Sequence, residues 1–336
     1  METTRTEHPV LQVSGLNIVA RLPNGDRPIL HDISFELISG EILAVIGESG
    51  SGKTVLARAL ASWLSAPLTV TQGEVRFRGT DLLKDTAMAK RLAGREIAYI
   101  GGNPAGALDP TMTVGAQLVE KLRAVRPDFS AAAARDKAIE LLEAVRIPAA
   151  PQRFNEYPFQ YSGGMMQRAM IVDALISDPA LLIADNITQP LDVTVAAQIL
   201  KLMRELNAEF QTAVLFISHD LAMVRRVCSR ICVMYLGEAV EVAPNERLFF
   251  DPGHPYSRAL LSAAPTLEER RYRPEDCLLE GEPPSPIDLP PGCAFASRCP
   301  NVFDRCRSEN PTLTSRGDHA LSACFLNTQS TLTAAE

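Results

Sequence analysis

The residues with the clearest chemical potential form a glycine-rich octapeptide, G-E-S-G-S-G-K-T, at positions 47–54. It matches the pattern G-x-x-x-x-G-K-[ST] and lies between the apolar run Ile42–Ile46 and a segment with helical spacing at 55–64. Glycines let backbone N–H groups turn inward around phosphate oxygens, and a following helix directs its positive end at the anion. The pattern therefore predicts a nucleotide-phosphate loop built from Gly47, Ser49, Gly50, Ser51, Gly52, Lys53 and Thr54. Lys53 is expected to reach the β- and γ-phosphates, and Thr54 to bind Mg²⁺.

The surrounding sequence predicts the elements that must position this loop. From residue 10 to about 250, apolar strand-like runs alternate with longer helical patterns, which indicates an α/β fold with helices packed on a sheet. Buried strands are expected at 181–184 and 214–217, and an amphipathic surface helix at 131–146. Prolines recur between 265 and 300, so this stretch is expected to be irregular, with a domain boundary near 265.

Composition limits the class of protein. The chain has 336 residues, of which 46% are hydrophobic and 22% charged, and its net charge is −7. An acidic chain does not favour nucleic-acid binding, which requires Lys and Arg to neutralise phosphates. No apolar run approaches the roughly 18–20 residues of a membrane span, and the polar N-terminus is unlike a secretory signal. We expect a cytosolic protein that reaches a membrane only through partner chains.

Downstream motifs resemble those of ABC ATPases. Y-S-G-G-M-M-Q-R at 161–168 is similar to their signature motif, with Tyr161 in place of the usual Leu. The apolar run 181–185 resembles the Walker B strand, S-H-D at 218–220 the switch segment, and Leu191-Asp192 the D-loop. The resemblance implies that Asp185 acts on Mg²⁺, that His219 contacts the γ-phosphate, and that Asp192 lies at a dimer interface. It also implies that an opposing subunit's ATP is bound by Ser162, Gly163 and Gly164.

The C-terminal part narrows the resemblance to the dipeptide/oligopeptide importer family. The motifs H-P-Y-S-R-A-L-L, G-E-P-P-S-P, P-G-C-A-F and R-C-P begin at positions 254, 281, 291 and 298. The resemblance implies a RecA-like P-loop NTPase core with an antiparallel β subdomain and an inserted α-helical signature subdomain at about 103–176. These form an ATP-binding domain at 8–264, followed by a small Cys-rich irregular domain at 265–336.

The implied partners are a second ABC ATPase subunit in a heterodimer, two transmembrane permease subunits and an extracytoplasmic substrate-binding protein. The chain would then be peripheral, on the cytoplasmic face of the inner membrane. The cargo stays open, because relatives carry di- and oligopeptides, nickel, opines, sugars and glutathione.

Three positions depart from the family pattern. Asn186 replaces the Glu that activates water, and a neutral amide cannot accept a proton from that water. Gly102 stands where relatives usually have Gln, and no aromatic residue lies between Val10 and Ser34 to stack on adenine. We expect the chain's own site to hold ATP and hydrolyse it poorly, while its signature completes a partner's site.

Other readings of these departures remain open. Another group could supply the base, or the chain could be a non-hydrolysing, nucleotide-sensing regulatory subunit. A soluble ABC protein of translation or repair is disfavoured. Such proteins usually carry two ATPase domains in one chain or long coiled coils.

The cysteines are concentrated near the C-terminus. Cys293, Cys299, Cys306 and Cys324 form the spacing C-x5-C-x6-C-x17-C. Four thiolates can ligate a [4Fe–4S] cluster or a zinc ion, and the spacing is similar to that of cluster-binding members of the importer family. A [4Fe–4S] cluster is the prediction, with zinc and no metal as alternatives. Cys228 and Cys232 lie in an apolar segment and are expected to be small core residues.

Overall fold

The computed structural model describes residues 9–102, 106–189, 193–263, 281–285 and 289–329. The chain forms two compact units. The described residues of the first unit fall within Met1–Leu11, Leu37–Ile42 and Phe77–Phe216. Those of the second fall within Gln12–Glu36, Leu43–Arg76 and Ile217–Glu336.

Strands and helices alternate along most of the described chain. The strands are β1 (Leu11–Leu22), β2 (Gly25–Leu37), β3 (Ile42–Ile46), β4 (Leu68–Phe77), β5 (Thr80–Asp81), β6 (Ile97–Ile100), β7 (Leu181–Asp185), β8 (Ala213–Ile217), β9 (Arg230–Tyr235), β10 (Glu238–Pro244), β11 (Thr314–Ser315) and β12 (Leu321–Ser322). The helices are α1 (Lys53–Leu60), α2 (Thr86–Leu92), α3 (Val114–Val125), α4 (Ala131–Ala144), α5 (Ala150–Arg153), α6 (Gly163–Leu175), α7 (Val193–Phe210), α8 (Leu221–Val227), α9 (Asn245–Phe250), α10 (Pro255–Ser262), α11 (Asp304–Ser308) and α12 (Leu326–Gln329).

In the first unit, neighbouring strands follow the order β8, β7, β6. Strands β6 and β7 are parallel, with Ile97 opposite Leu181. Every residue of β7 and β8 is buried, which explains why both are apolar except for Asp185 at the end of β7, because a strand covered on both faces does not alternate with polar residues. The strands predicted at 181–184 and 214–217 are confirmed.

Three helices of the first unit, α3, α4 and α6, pack against one another. Each begins at a hydroxyl residue whose side-chain oxygen accepts a backbone N–H of the first turn, and these caps are Thr113, Ser130 and Ser162. Helix α4 is the amphipathic helix predicted at 131–146. It buries a single face and ends at Ala144.

In the second unit, neighbouring strands follow the order β11, β12, β10, β9, β3. Strands β3 and β9 are parallel, whereas β10 is antiparallel to both β9 and β12. Leu321 and Ser322, near the C-terminus, therefore extend a sheet that also contains the strand before the phosphate loop. Residues 281–285 and 289–295 contain no helix or strand, and the stretch 264–280 lies outside the described residues.

Membrane association was expected only through partner chains. Among the helices that the structure describes, none is both long enough and apolar enough to cross a bilayer.

Helix α3 depends on a glycine at its second position. A Cβ on Gly115 would lie 2.3 Å from Cγ of the buried Phe154 ring. We expect Gly115→Ala to lower the free energy of unfolding by about 1–2 kcal/mol, because the overlap outweighs the better helix propensity of alanine. Thermal and denaturant unfolding measure the change. Ala124→Leu adds bulk at an exposed position of the same helix and should stay within about 0.5 kcal/mol; similar losses for both variants would contradict the packing argument.

Candidate functional site

The glycine-rich loop connects β3 to α1 in the second unit. Gly47 has φ 149°, and a Cβ there would lie 2.1 Å from the Met234 carbonyl oxygen. Gly52, which precedes α1, has φ 95°, and its Cβ would lie 2.6 Å from a methyl carbon of Leu30. A side chain at either position would force the backbone outward, so the close turn requires glycine at both.

Lys53 folds back into the loop. Its Nζ donates to the carbonyl oxygens of Gly47 at 2.8 Å and Glu48 at 2.7 Å, and to Ser51 Oγ at 3.0 Å. The residue is only 9% exposed, so its ammonium exchanges water for these oxygens. A phosphate oxygen could replace one of them, which suits the predicted role of Lys53. Thr54, Ser49 and Gly50 lie in the same loop and first helical turn, as predicted.

Asp185 ends β7 in the first unit and is 4% exposed. Tyr99 donates its hydroxyl to Asp185 Oδ2 at 3.2 Å, and the Asn186 amide donates to Oδ1 at 2.8 Å. Both carboxylate oxygens thus accept a hydrogen bond, and these bonds orient the group. Carboxylate oxygens are ligands that Mg²⁺ prefers, which suits the predicted role of Asp185.

Asn186 itself has φ 54°, in the left-handed region that Asn tolerates better than most residues. A Cβ on Gly102 would lie 3.1 Å from the Asn186 carbonyl oxygen and 3.5 Å from the Asn186 Cβ. Two of the three departures from the family pattern are therefore neighbours in the folded unit. Sequence reasoning found both positions but had no signal for their proximity.

The signature segment lies at the start of α6 in the first unit. Ser162 is exposed, and its Oγ accepts the Met165 N–H at 3.3 Å. Apart from the backbone of its own helix and its chain neighbours, no described residue has an atom within 4 Å of a Cβ built on Gly163, whereas a Cβ on Gly164 would lie 3.1 Å from Val195. The open face and the helix N-terminus could accept an anion from outside the chain.

Tyr161, in place of the usual Leu, is buried and donates its hydroxyl to the Arg153 carbonyl oxygen at 3.0 Å. Burial raises the pKa of Tyr161 to about 12. The ring thus contributes to the core as a leucine would, while its hydroxyl keeps a partner.

The switch residue His219 is exposed, between β8 and α8. The neighbouring Asp220 caps α8 by accepting the Met223 N–H at 3.1 Å. Leu191 and Asp192 of the predicted D-loop lie outside the described residues, as do Asn103 and Pro104 after Gly102.

The four C-terminal cysteines line one small cavity of about 20 Å³ in the second unit, together with His254, Phe295 and Phe325. Burial raises the pKa of Cys293 to about 12 and that of Cys299 to about 11. Within the described part of the chain, the structure contains no set of three or more His, Cys, Asp or Glu residues arranged as a metal site. The four cysteines share this cavity, which has room for about one water molecule.

Cys228 and Cys232 are buried free thiols, which agrees with their predicted place in the core. Sequence reasoning had no signal for four residues that contact candidate site residues. Tyr99 contacts Asp185, and Met234, Tyr256 and Arg298 contact the phosphate loop. Tyr256 accepts the backbone N–H of Glu48, and Arg298 forms an ion pair with the carboxylate of Glu48. Tyr256 lies in the motif that begins at position 254 and Arg298 in the motif that begins at position 298. Taken as sequence, both motifs indicate only a family resemblance.

Comparison with known proteins agrees with this geometry. The ABC transporter profile matches residues 30–189, and the profile of the oligopeptide/dipeptide transporter C-terminal region matches residues 240–306. The oligopeptide transport ATP-binding protein OppD of Salmonella typhimurium is 38% identical over 331 residues, which cover 97% of each chain. The dipeptide transport ATP-binding protein DppD of Bacillus subtilis is 39% identical over 323 residues, 95% of each chain.

Solved structures show the same fold. The dimeric ABC transporter cassette MJ0796 matches with a TM-score of 0.63 at 23% identity and covers 70% of this chain and 98% of its own. CbiO1 of Clostridium perfringens matches with a TM-score of 0.62 at 22% identity, over 73% of this chain and 92% of its own. The chain has the P-loop fold of ABC ATPase cassettes, and it belongs to the ABC transporter ATP-binding proteins of the oligopeptide/dipeptide importer family.

Proposed function

We propose that this chain is the ATP-binding subunit of a heteromeric ABC importer for a peptide-class substrate. The observation that carries the proposal is the similarity to peptide-transport ATP-binding proteins, which extends through the C-terminal region. Its partners would be two transmembrane permeases, a second ABC ATPase and an extracytoplasmic substrate-binding protein. It would act on the cytoplasmic face of the inner membrane. The domain division at 264/265, with a helical signature subdomain at about 103–176, is part of this proposal.

The chain's own nucleotide site would hold MgATP and hydrolyse it slowly. Lys53 and the glycine-loop amides would bind the phosphates, and Thr54 and Asp185 would hold Mg²⁺. Asn186 is a poor candidate for a base, because its amide donates to Asp185 and has no basic nitrogen. Losing a positioned general base costs about 10²–10⁴ in rate, or roughly 3–5 kcal/mol of barrier. The packing of Gly102 against Asn186 supports a joint departure from the catalytic pattern.

The signature segment would serve a different ATP. Ser162 and Gly163 are exposed and Gly164 is half-buried at the start of α6, where an opposing subunit's γ-phosphate could bind the Ser162 hydroxyl and the glycine amides. The importer would then have one weak and one competent site. A non-hydrolysing regulatory subunit is the second candidate, favoured by the same Asn186, and it predicts that no ATPase activity depends on Ser162.

Removing the Lys53 ammonium tests nucleotide binding by the isolated chain. We expect Lys53→Met to weaken MgATP binding at least about tenfold, because charge-assisted hydrogen bonds to the phosphates are lost. Equilibrium binding of a fluorescent ATP analogue measures the change. Lys201→Met removes a surface lysine, 67% exposed, and should leave affinity unchanged.

The rate of ATP hydrolysis by the isolated wild-type chain tests the weak-site proposal. The chain should turn over ATP very slowly, and brisk hydrolysis would contradict the proposal.

Blocking the signature tests whether the chain completes a partner's site. In the assembled transporter we expect Ser162→Arg to abolish ATPase activity, because the long cation occupies the place of the opposing γ-phosphate. Ser130→Arg is the matched control, since Ser130 is also an exposed helix cap, in α4. Control activity should match wild type. Full activity in the Ser162 variant would favour the regulatory alternative.

A [4Fe–4S] cluster held by Cys293, Cys299, Cys306 and Cys324 is also part of the proposal. The position of all four cysteines around one cavity supports it, and because burial raises the pKa of Cys293 and Cys299, loading should release protons and weaken as pH falls.

Iron and acid-labile sulfide analysis of anaerobically prepared protein tests the cluster. We expect both in equal amounts in the wild type, and their loss in Cys299→Ser. Cys228→Ser, which changes a buried thiol outside the cavity, should keep them. Zinc in place of iron, or no metal at all, would refute the assignment.

A further inference from the structure

Glu48, the residue after Gly47 in the phosphate loop, is held through three of its groups. Its backbone N–H donates to the Tyr256 hydroxyl at 2.8 Å, and its carbonyl oxygen accepts from Lys53 at 2.7 Å. Its carboxylate accepts from both Nη atoms of Arg298, at 2.8 Å and 3.2 Å. The C-terminal part of the chain therefore supplies two of these three contacts.

Arg298 is set in an aromatic cluster rather than on the surface. Its side chain is only 7% exposed, compared with 29% for Glu48. Its guanidinium lies 6.0 Å from the centre of the Tyr235 ring, and Nη1 lies 3.4 Å from the Tyr235 hydroxyl. The rings of Tyr235, Tyr256 and Phe295 pack within 4.6–5.5 Å of one another. The arginine thus approaches Glu48 from a fixed position.

The short 3-10 helix Ala296–Arg298 fixes the backbone of this arginine. The Ala296 N–H donates to the Cys293 carbonyl oxygen at 2.9 Å, and the Arg298 N–H donates to that of Phe295 at 3.0 Å. Arg298 immediately precedes Cys299. The segment that carries two of the cavity cysteines is therefore the segment that holds the phosphate loop.

The negative charge of Glu48 links its ion pair with Arg298 to nucleotide binding. A carboxylate in a loop that binds a triphosphate repels the ligand unless a cation neutralises it. Two parallel N–H···O bonds from a guanidinium both neutralise the carboxylate and fix its orientation. Removing the arginine alone would leave the negative charge unpaired beside the nucleotide.

We propose that Arg298 is a positioning residue for the nucleotide site, which orients Glu48 and neutralises its charge so that the loop can accept ATP. This inference rests on the proposed ATP binding and assigns to the C-terminal extension a direct part in it. ATP affinity should then depend on a residue outside the phosphate loop itself.

A double-mutant cycle on the full-length chain tests the inference, with a fluorescent ATP analogue as the probe. We expect Arg298→Met to weaken binding about tenfold, and Glu48→Gln to change it less than about threefold. The double variant should bind nearly as well as Glu48→Gln alone, because the unpaired carboxylate is gone. Arg298→Lys keeps the positive charge but cannot form two parallel hydrogen bonds to the carboxylate. Its affinity for the probe should therefore lie between those of the wild type and Arg298→Met.

Melting temperatures and a control separate positioning from simple stabilisation. Arg305→Met removes an exposed ion pair with Glu309 in the same extension and should not alter affinity. Equal weakening in Arg298→Met and the double variant would mean a purely structural role and overturn the inference, as would unchanged affinity in Arg298→Met. If Arg298→Met does not fold, the Arg298→Lys and double variants carry the same comparison. Failure of the wild type to bind the probe would instead overturn the proposed function, and this inference with it.

Discussion

The phosphate loop depends on the burial of one ammonium group. Lys53 is almost excluded from water, so its Nζ must be surrounded by oxygens, and the loop curls to supply three of them. That curl brings the backbone at Gly47 against the Met234 carbonyl, where no side chain fits. The tight turn that surrounds the Lys53 ammonium with oxygens is therefore also the reason that position 47 must be glycine. A loop shaped around a buried cation is preorganised for an anion, because the cation is already desolvated and positioned.

In the first unit, Asp185 is a buried negative charge, as Lys53 is a buried positive charge in the second. A buried carboxylate needs donors, and Tyr99 and Asn186 provide two of them. A glutamate at position 186 would place a second negative charge beside Asp185 and could donate no hydrogen bond when ionised. Asparagine exchanges a proton acceptor for a donor, and it suits a backbone with positive φ. Asn186 thus helps to hold the Asp185 carboxylate in place.

Local patterns were enough to predict the parts of the structure that local physics determines. The strand before the loop, the buried strands at 181–184 and 214–217, and the amphipathic helix α4 follow from periodicity. The octapeptide follows from its glycine spacing. Contacts between segments distant in sequence could not be predicted, because no periodic pattern encodes them. Tyr256 and Arg298 contact Glu48 from 208 and 250 residues away, and the proximity of Gly102 to Asn186 likewise required the folded chain.

The C-terminal extension is anchored by strand pairing and by the packing of aromatic rings. Strand β12 pairs with β10, and Phe295 packs against Tyr235 and Tyr256. These contacts join a small proline-rich segment, which has little apolar content of its own, to the sheet and the aromatic rings of the second unit. Because Arg298 immediately precedes Cys299 and pairs with Glu48, a metal bound among the cysteines would act on a segment that already contacts the phosphate loop.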